Sequence, residues 1–99
     1  MREPVVHQLK TWPTYWDAVA RGEKSFEVRK NDRAFQTGDI VVLSRQTRDE
    51  FGAPYDTDYT TDTVRSLTFR IGWILQGGQF GIEPGYCIFS LAREGNGNG

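Results

Sequence analysis

Segment 22–32 contains the charged residues whose types and spacing could do chemistry. Lys24, Glu27 and Arg29 lie within six positions of one another. In a β-strand, Glu27 and Arg29 would share a face, and a lysine at the start of the strand could lean over that face. The two cations could bind a phosphate while the carboxylate accepts a hydrogen bond from a base amine. On spacing alone, an ordinary solvated strand face with paired charges is the stronger interpretation.

Further residues could extend such a site. Trp12 and Tyr15 could stack on a base, although the helical spacing of Trp12, Trp16 and Val19 favours core packing for both tryptophans. The glycine-rich segment 76–85 is either a turn that needs positive φ angles or a loop whose main chain approaches a ligand. The full set of candidate ligand-binding residues is Lys24, Ser25, Glu27, Arg29, Lys30, Gln76 and Gln79, with Trp12 and Tyr15 as possible stacking residues.

One helix and five strands are predicted to position these residues. The helix spans 12–21, with Thr11 as its N-cap, Pro13 in its first turn and Gly22 as its C-cap. The alternation of side chains predicts strands at 5–10, 25–30, 40–45, 63–75 with a bend at Gly72, and 86–92. The polar segment 46–62, with five acids and one arginine, is expected to be an exposed, mobile loop.

The apolar positions of these elements predict the core. In the second strand, Phe26 and Val28 would face the core and Glu27 and Arg29 would face outward. The residues expected to be largely buried are Trp16, Val19, Phe26, Val28, Val41, Leu43, Phe69, Ile71, Phe89 and Leu91.

Length and composition limit the class of protein. The 99 residues suit one α+β domain over 1–93, followed by a disordered tail over 94–99. With one cysteine, Cys87, and one histidine, His7, the sequence favours neither a disulfide nor a metal site, and we expect no cofactor. His7 is expected to be a strand residue bonded to a neighbour. No signal-peptide core or membrane-length apolar stretch is found, so a cytoplasmic, non-membrane protein is expected.

The charge is distributed unevenly along the chain. The net charge of −1 argues against a protein that coats nucleic acid through bulk electrostatics. Residues 1–45 contain eight Lys or Arg and six Asp or Glu, whereas residues 46–99 contain four and seven. An anionic ligand should therefore bind to the first half.

The motif Gly-x-Lys-Ser-x-Glu-x-Arg at 22–29, directly after a first helix, resembles the signature of ASCH domains, a branch of the PUA-like superfamily. The flanking segments His-x-Leu-Lys-Thr-Trp-Pro (7–13), Arg-Lys-Asn-Asp-Arg (29–33) and Leu-Gln-Gly-Gly-Gln-Phe-Gly-Ile-Glu-Pro-Gly-Tyr (75–86) resemble a family of small uncharacterised bacterial and phage proteins in that branch. The resemblance extends over residues 7–91, apart from the 46–62 loop.

This resemblance implies a small mixed or antiparallel β-barrel of five or six strands, with one or two short helices covering an opening. It also implies a cleft beside the strand 24–29, where related ASCH domains are thought to bind RNA. One ASCH-like group hydrolyses acetylcytidine with a Lys, a Thr and a Glu. This sequence keeps the lysine as Lys24, but Glu27 occupies the Thr position, Ser25 is displaced by two positions, and Glu83 is a poor match for the acid.

Three functions remain open at this point. The favoured one is a module that binds RNA, a nucleotide or a modified nucleoside. The second is a nucleoside- or RNA-processing hydrolase at the same cleft, for which Lys24 and Glu27 would be the catalytic candidates. The third is a protein-interaction domain that uses the acidic 46–62 loop. The sequence leaves the ligand, the oligomeric state and the host or phage origin open.

Overall fold

The computed structural model describes residues 2–48, 51–52 and 65–93. Within these ranges the chain forms five strands and one helix: β1 (Val6–Thr11), α1 (Pro13–Ala20), β2 (Phe26–Lys30), β3 (Ile40–Arg45), β4 (Ser66–Gln76) and β5 (Tyr86–Arg93). The helix α1 has eight residues, and no helix in the described ranges is long and apolar enough to cross a membrane.

The five strands form one mixed sheet in the order β1-β3-β4-β5-β2, curved into a half-barrel. β1 and β3 are parallel, and the other three pairs are antiparallel. The predicted α+β class and mixed pairing are thus confirmed. β1 precedes the helix in the chain and β2 follows it, and these two strands form the two edges of the sheet. The helix α1 therefore connects one edge strand to the other.

The helix begins and ends for different local reasons. Pro13 occupies the first turn, where no N–H donor is needed. The predicted cap at Thr11 is wrong: Trp12 is the N-cap, without a side-chain hydrogen bond, because Thr11 still belongs to β1. At the other end, Gly22 adopts a φ of 81°, and its N–H and that of Glu23 donate to the carbonyls of Val19 and Ala18. This is a Schellman motif, which returns the chain toward β2.

The core lies on the concave side of the sheet under α1. Of the residues expected to be buried, Trp16, Val19, Val41, Leu43, Ile71 and Phe89 are buried, and Phe69 and Leu91 pack partly buried against them. The prediction is wrong for Phe26 and Val28, which are 43% and 49% exposed. The inward face of β2 carries Glu27 instead, because that carboxylate is neutralised by two cations and β2 is an outer strand.

The long strand β4 bends where the sequence predicted. The register between β4 and β5 shifts between Ile71 and Ile74, next to Gly72. The shift changes which side chains face inward, so Ile71 is buried while Trp73 is 70% exposed.

The predictions of a mobile loop at 46–62 and a disordered tail at 94–99 concern residues that, apart from 46–48 and 51–52, lie outside the described ranges.

Trp16 joins the helix to the sheet through both packing and a hydrogen bond, since its indole Nε1 donates to the carbonyl of Leu43 at 2.8 Å. We expect Trp16→Phe to lower the free energy of unfolding by about 2 kcal/mol, because the donor is lost and the smaller ring leaves a void. Urea titration followed by far-ultraviolet circular dichroism measures the change. Trp12→Phe, at a position 59% exposed, is the matched control, and equal losses in both variants would contradict this role for Trp16.

Candidate functional site

A cleft of about 710 Å³ opens where the end of β1 and the start of α1 face β2. It lies at the seam between the two outer strands of the half-barrel. Its lining combines charged groups and aromatic rings: Lys10, Thr11, Trp12, Tyr15, Lys24, Phe26, Glu27, Val28, Arg29 and Tyr86.

A buried carboxylate between two cations forms the floor of the cleft. Glu27 Oε1 accepts a hydrogen bond from Lys24 Nζ at 2.6 Å, and Oε2 accepts one from Arg29 Nε at 3.0 Å. The side chain of Glu27 is only 4% exposed, whereas those of Lys24 and Arg29 are 17% and 22% exposed. The charged face of β2 is therefore a compact ion cluster, with both cations still reached by solvent.

The seam is also held together by side chains that reach from one outer strand to the other. Arg29 Nη2 donates to the Lys10 carbonyl and to Thr11 Oγ1, both at 3.1 Å. Further along, Arg33 Nη1 donates to the Gln8 carbonyl at 3.0 Å. These bonds replace the main-chain ladder that a closed barrel would have between β1 and β2.

Two exposed aromatic rings stand at the mouth of the cleft. Trp12 and Tyr15 stack on each other with their centroids 5.9 Å apart and an interplanar angle of 16°. They are 59% and 48% exposed, so the core interpretation of Trp12 is wrong and that of Trp16 is correct. Lys24 Nζ lies 5.6 Å from the centroid of the Tyr15 ring and 4.9 Å from that of Phe26. The aromatic rings and the ion cluster therefore belong to one site.

The cleft carries a positive charge. Its lining contains three cations, Lys10, Lys24 and Arg29, and one carboxylate, Glu27. Because Glu27 is already paired with two of the cations, the ammonium group of Lys10 is left without an ion pair among the described residues. The cleft is thus suited to a ligand that carries negative charge.

Four of the predicted site residues lie elsewhere. Ser25 and Lys30 are exposed and do not line the cleft. Gln76 and Gln79 are not among the lining residues either: Gln76 accepts a hydrogen bond from Asn31, and Gln79 donates to the main chain of Gln76. The loop packs on itself and on the turn after β2.

Several residues that line the cleft were not predicted from the sequence as site residues. Lys10, Thr11 and Tyr86 reach the cleft only because β1 faces β2 across the seam and β5 pairs with β2. The Lys-Thr-Trp run at 10–12 was a usable signal, since it places a cation and an aromatic ring at a strand-to-helix junction.

A second buried carboxylate stabilises the opposite end of β1. Asp39 accepts hydrogen bonds from His7 Nε2 and Arg2 Nη2, both at 2.9 Å, and from the main-chain N–H groups of Val5 and Gln36. Burial raises the pKa of Asp39, but these hydrogen bonds, led by that from His7, outweigh it and lower the pKa below its ordinary value. This cluster lies outside the cleft and ties the start of β1 to the start of β3.

In the described ranges, no three His, Cys, Asp or Glu side chains come together as a metal-ligand set. The single cysteine, Cys87, is buried in the core, and burial raises the pKa of its thiol.

Comparison with known proteins identifies a family. Residues 6–91 match a family described as "Domain of unknown function (DUF3850)". A stretch of 38 residues is 40% identical to an "Uncharacterized 12.9 kDa protein in GpA 3'region" of Escherichia phage P2. That stretch spans 38% of this chain and 35% of the phage protein, so the similarity to this relative covers about a third of its length.

Proposed function

The chain belongs to the DUF3850 family, and we propose that it is an ASCH-type, PUA-like domain that binds RNA or a nucleotide-like ligand in the cleft at the β1–β2 seam. The single observation that carries this proposal is the exposed Trp12–Tyr15 stack beside a positively charged ion cluster in an open cleft. Aromatic platforms next to cationic grooves are the common means by which proteins hold single-stranded nucleic acid.

Each part of the cleft has a role in this proposal. A base stacks on the exposed face of the aromatic pair, because the two rings already cover each other's inner faces. Lys10 attracts the phosphate, since its ammonium group has no ion-pair partner among the described residues. Glu27 holds Lys24 and Arg29 in fixed positions, so that the ligand meets cations that are already oriented.

Binding without hydrolysis is the simpler function for these residues. Hydrolysis would need a nucleophilic hydroxyl next to Lys24 together with a base. Ser25 lies outside the cleft, and the hydroxyl of Thr11, which lines it, accepts a hydrogen bond from Arg29. Glu27, the carboxylate of the cleft, has both oxygens engaged by cations. The protein-interaction alternative depends on the acidic loop at 46–62, most of which lies outside the described residues.

Trp12→Ala should weaken binding roughly 10- to 100-fold, in line with about 1–3 kcal/mol for one base–aromatic stack. The measurement is fluorescence-anisotropy titration of labelled short RNAs and direct titration of nucleoside monophosphates at fixed salt. Trp73→Ala is the matched control, since that tryptophan is 70% exposed on β4 and does not line the cleft. Equal affinity of both variants and wild type would show that the aromatic stack does not take part in binding. A wild-type protein that binds no probe would overturn the proposed function.

A further inference from the structure

The main-chain N–H and C=O groups of alternate residues in β2 point toward the cleft. Leu91 N donates to the Ser25 carbonyl, and Asn31 N donates to the Gly85 carbonyl. Residues at odd positions in and around β2 therefore direct their main-chain groups toward β5, as the antiparallel register requires. The even positions, Phe26, Val28 and Lys30, direct theirs to the open side at the seam.

The protein's own groups occupy most of the main-chain acceptors on that open side. The Phe26 carbonyl accepts from Lys24 Nζ at 2.6 Å, and the Lys30 carbonyl accepts from Asp32 N at 2.9 Å. Across the seam, the carbonyls of Gln8 and Lys10 accept from Arg33 and Arg29. Blocking of this kind protects the edge of a sheet from pairing with another chain.

Val28 is the exception. It lies between the two residues whose carbonyls are occupied, is 49% exposed, and lines the cleft. Neither its N–H nor its C=O is bonded to another described residue. A donor and an acceptor of one residue thus face the cleft side by side, on the same strand as the ion cluster.

We propose that the main-chain N–H and C=O of Val28 bind the hydrogen-bonding edge of the base. This inference rests on the proposed function and specifies how the ligand is recognised. The donor–acceptor pair complements a planar heterocycle with an acceptor next to a donor, as on the Watson–Crick edges of nucleobases. The base then stacks near Trp12 and Tyr15 while its edge is held by β2.

An added peptide strand fits this edge less well than a single planar ring. Strand addition needs main-chain pairs at successive alternate positions. Here the carbonyls two residues before and two residues after Val28 are already occupied. One free donor–acceptor pair between two occupied carbonyls suits a compact ring.

The test compares Val28→Pro with Val28→Ala. Proline removes the N–H at a position on an outer strand where it does not interrupt the sheet ladder, whereas alanine truncates the side chain and keeps the donor. Titration with the four nucleoside 5′-monophosphates should show binding about tenfold or more weaker for Val28→Pro than for Val28→Ala, because only proline removes the main-chain donor. Methylation of uridine monophosphate at N3, or of guanosine monophosphate at N1, should weaken the binding of those two probes to a similar extent.

Amide hydrogen exchange of the wild-type protein gives a second measurement that does not depend on the folding of a variant. The Val28 amide should exchange rapidly in the free protein and become protected at saturating nucleotide. If nucleotides bind but neither Val28→Pro nor the Val28 amide responds, the inference is wrong and the proposed function stands. If the wild type binds no nucleotide or RNA, both are wrong.

Discussion

Replacing Glu27 by alanine is expected to lower the free energy of unfolding by about 3 kcal/mol, the largest effect of any single change in the cleft. Glu27 is the one carboxylate between Lys24 and Arg29, and its removal leaves two partly buried cations facing each other without a counter-charge. Breaking a buried ion pair from one side typically costs several kcal/mol, and the partial exposure of both cations places the estimate at the lower end. Urea unfolding at neutral pH measures the change.

Two comparisons make this prediction specific. Glu23→Ala, at the exposed Arg21–Glu23 pair, should leave the unfolding midpoint unchanged. The triple variant Lys24→Met, Glu27→Leu, Arg29→Met should recover much of the lost stability, because an apolar set of similar volume needs no partner charges. If that variant folds well but binds no nucleotide, the ion cluster contributes more to ligand binding than to folding stability. A Glu27→Ala protein as stable as wild type would show that the cations do not depend on the carboxylate.

Asp39→Asn is expected to destabilise the protein by a similar amount, about 3 kcal/mol, without altering the cleft. The carboxylate accepts hydrogen bonds from Arg2, His7 and two main-chain N–H groups, and an amide would point its NH₂ group at one of those donors. Asp32→Asn, at a side chain 61% exposed, is the matched control. Nucleotide affinity of the folded Asp39→Asn protein should equal that of wild type.

The same substitution should change how stability depends on pH. Because the pKa of Asp39 is lowered in the folded state, its contribution is fully present above the ordinary pKa of 3.8 and is lost as the pH falls through the folded value. The difference in unfolding free energy between wild type and Asp39→Asn should therefore be constant at neutral pH and narrow below about pH 3.8. Asp17, whose pKa is also lowered, chiefly by its hydrogen bond from Arg45, titrates in both proteins and does not contribute to the difference. A difference that stays constant down to acidic pH would contradict this assignment.

The sequence was sufficient to predict the elements but not which face of β2 turns inward. Alternation correctly placed Glu27 and Arg29 on one face and Phe26 and Val28 on the other. The rule that apolar side chains face the core then assigned the two faces the wrong way round. It failed because Lys24 and Arg29 neutralise the buried carboxylate, and pairing between side chains is not visible in hydrophobic periodicity.

The same limit applies to residues that meet only through long-range pairing. Trp12 and Trp16 have identical chemistry and helical spacing, yet Trp16 is buried against the sheet and Trp12 is the N-cap at the mouth of the cleft. No signal in the sequence indicated the Asp39 cluster, because the side-chain partners of Asp39, Arg2 and His7, lie more than thirty positions away at the start of the chain. Local propensity determines elements, whereas their mutual arrangement determines sites.

The pairing of β2 has a consequence for the order in which the protein is made. Among the strands that the structure describes, β5 alone pairs with β2, so Glu27 and Arg29 lie on a strand without a described ladder partner until Tyr86–Arg93 has been translated. The parallel pair β1–β3 and the antiparallel pair β3–β4 can form earlier, because all their residues precede β5. A nascent chain therefore carries most of the sheet before it carries a cleft, and any fragment that stops short of β5 has the motif at 22–29 without the site.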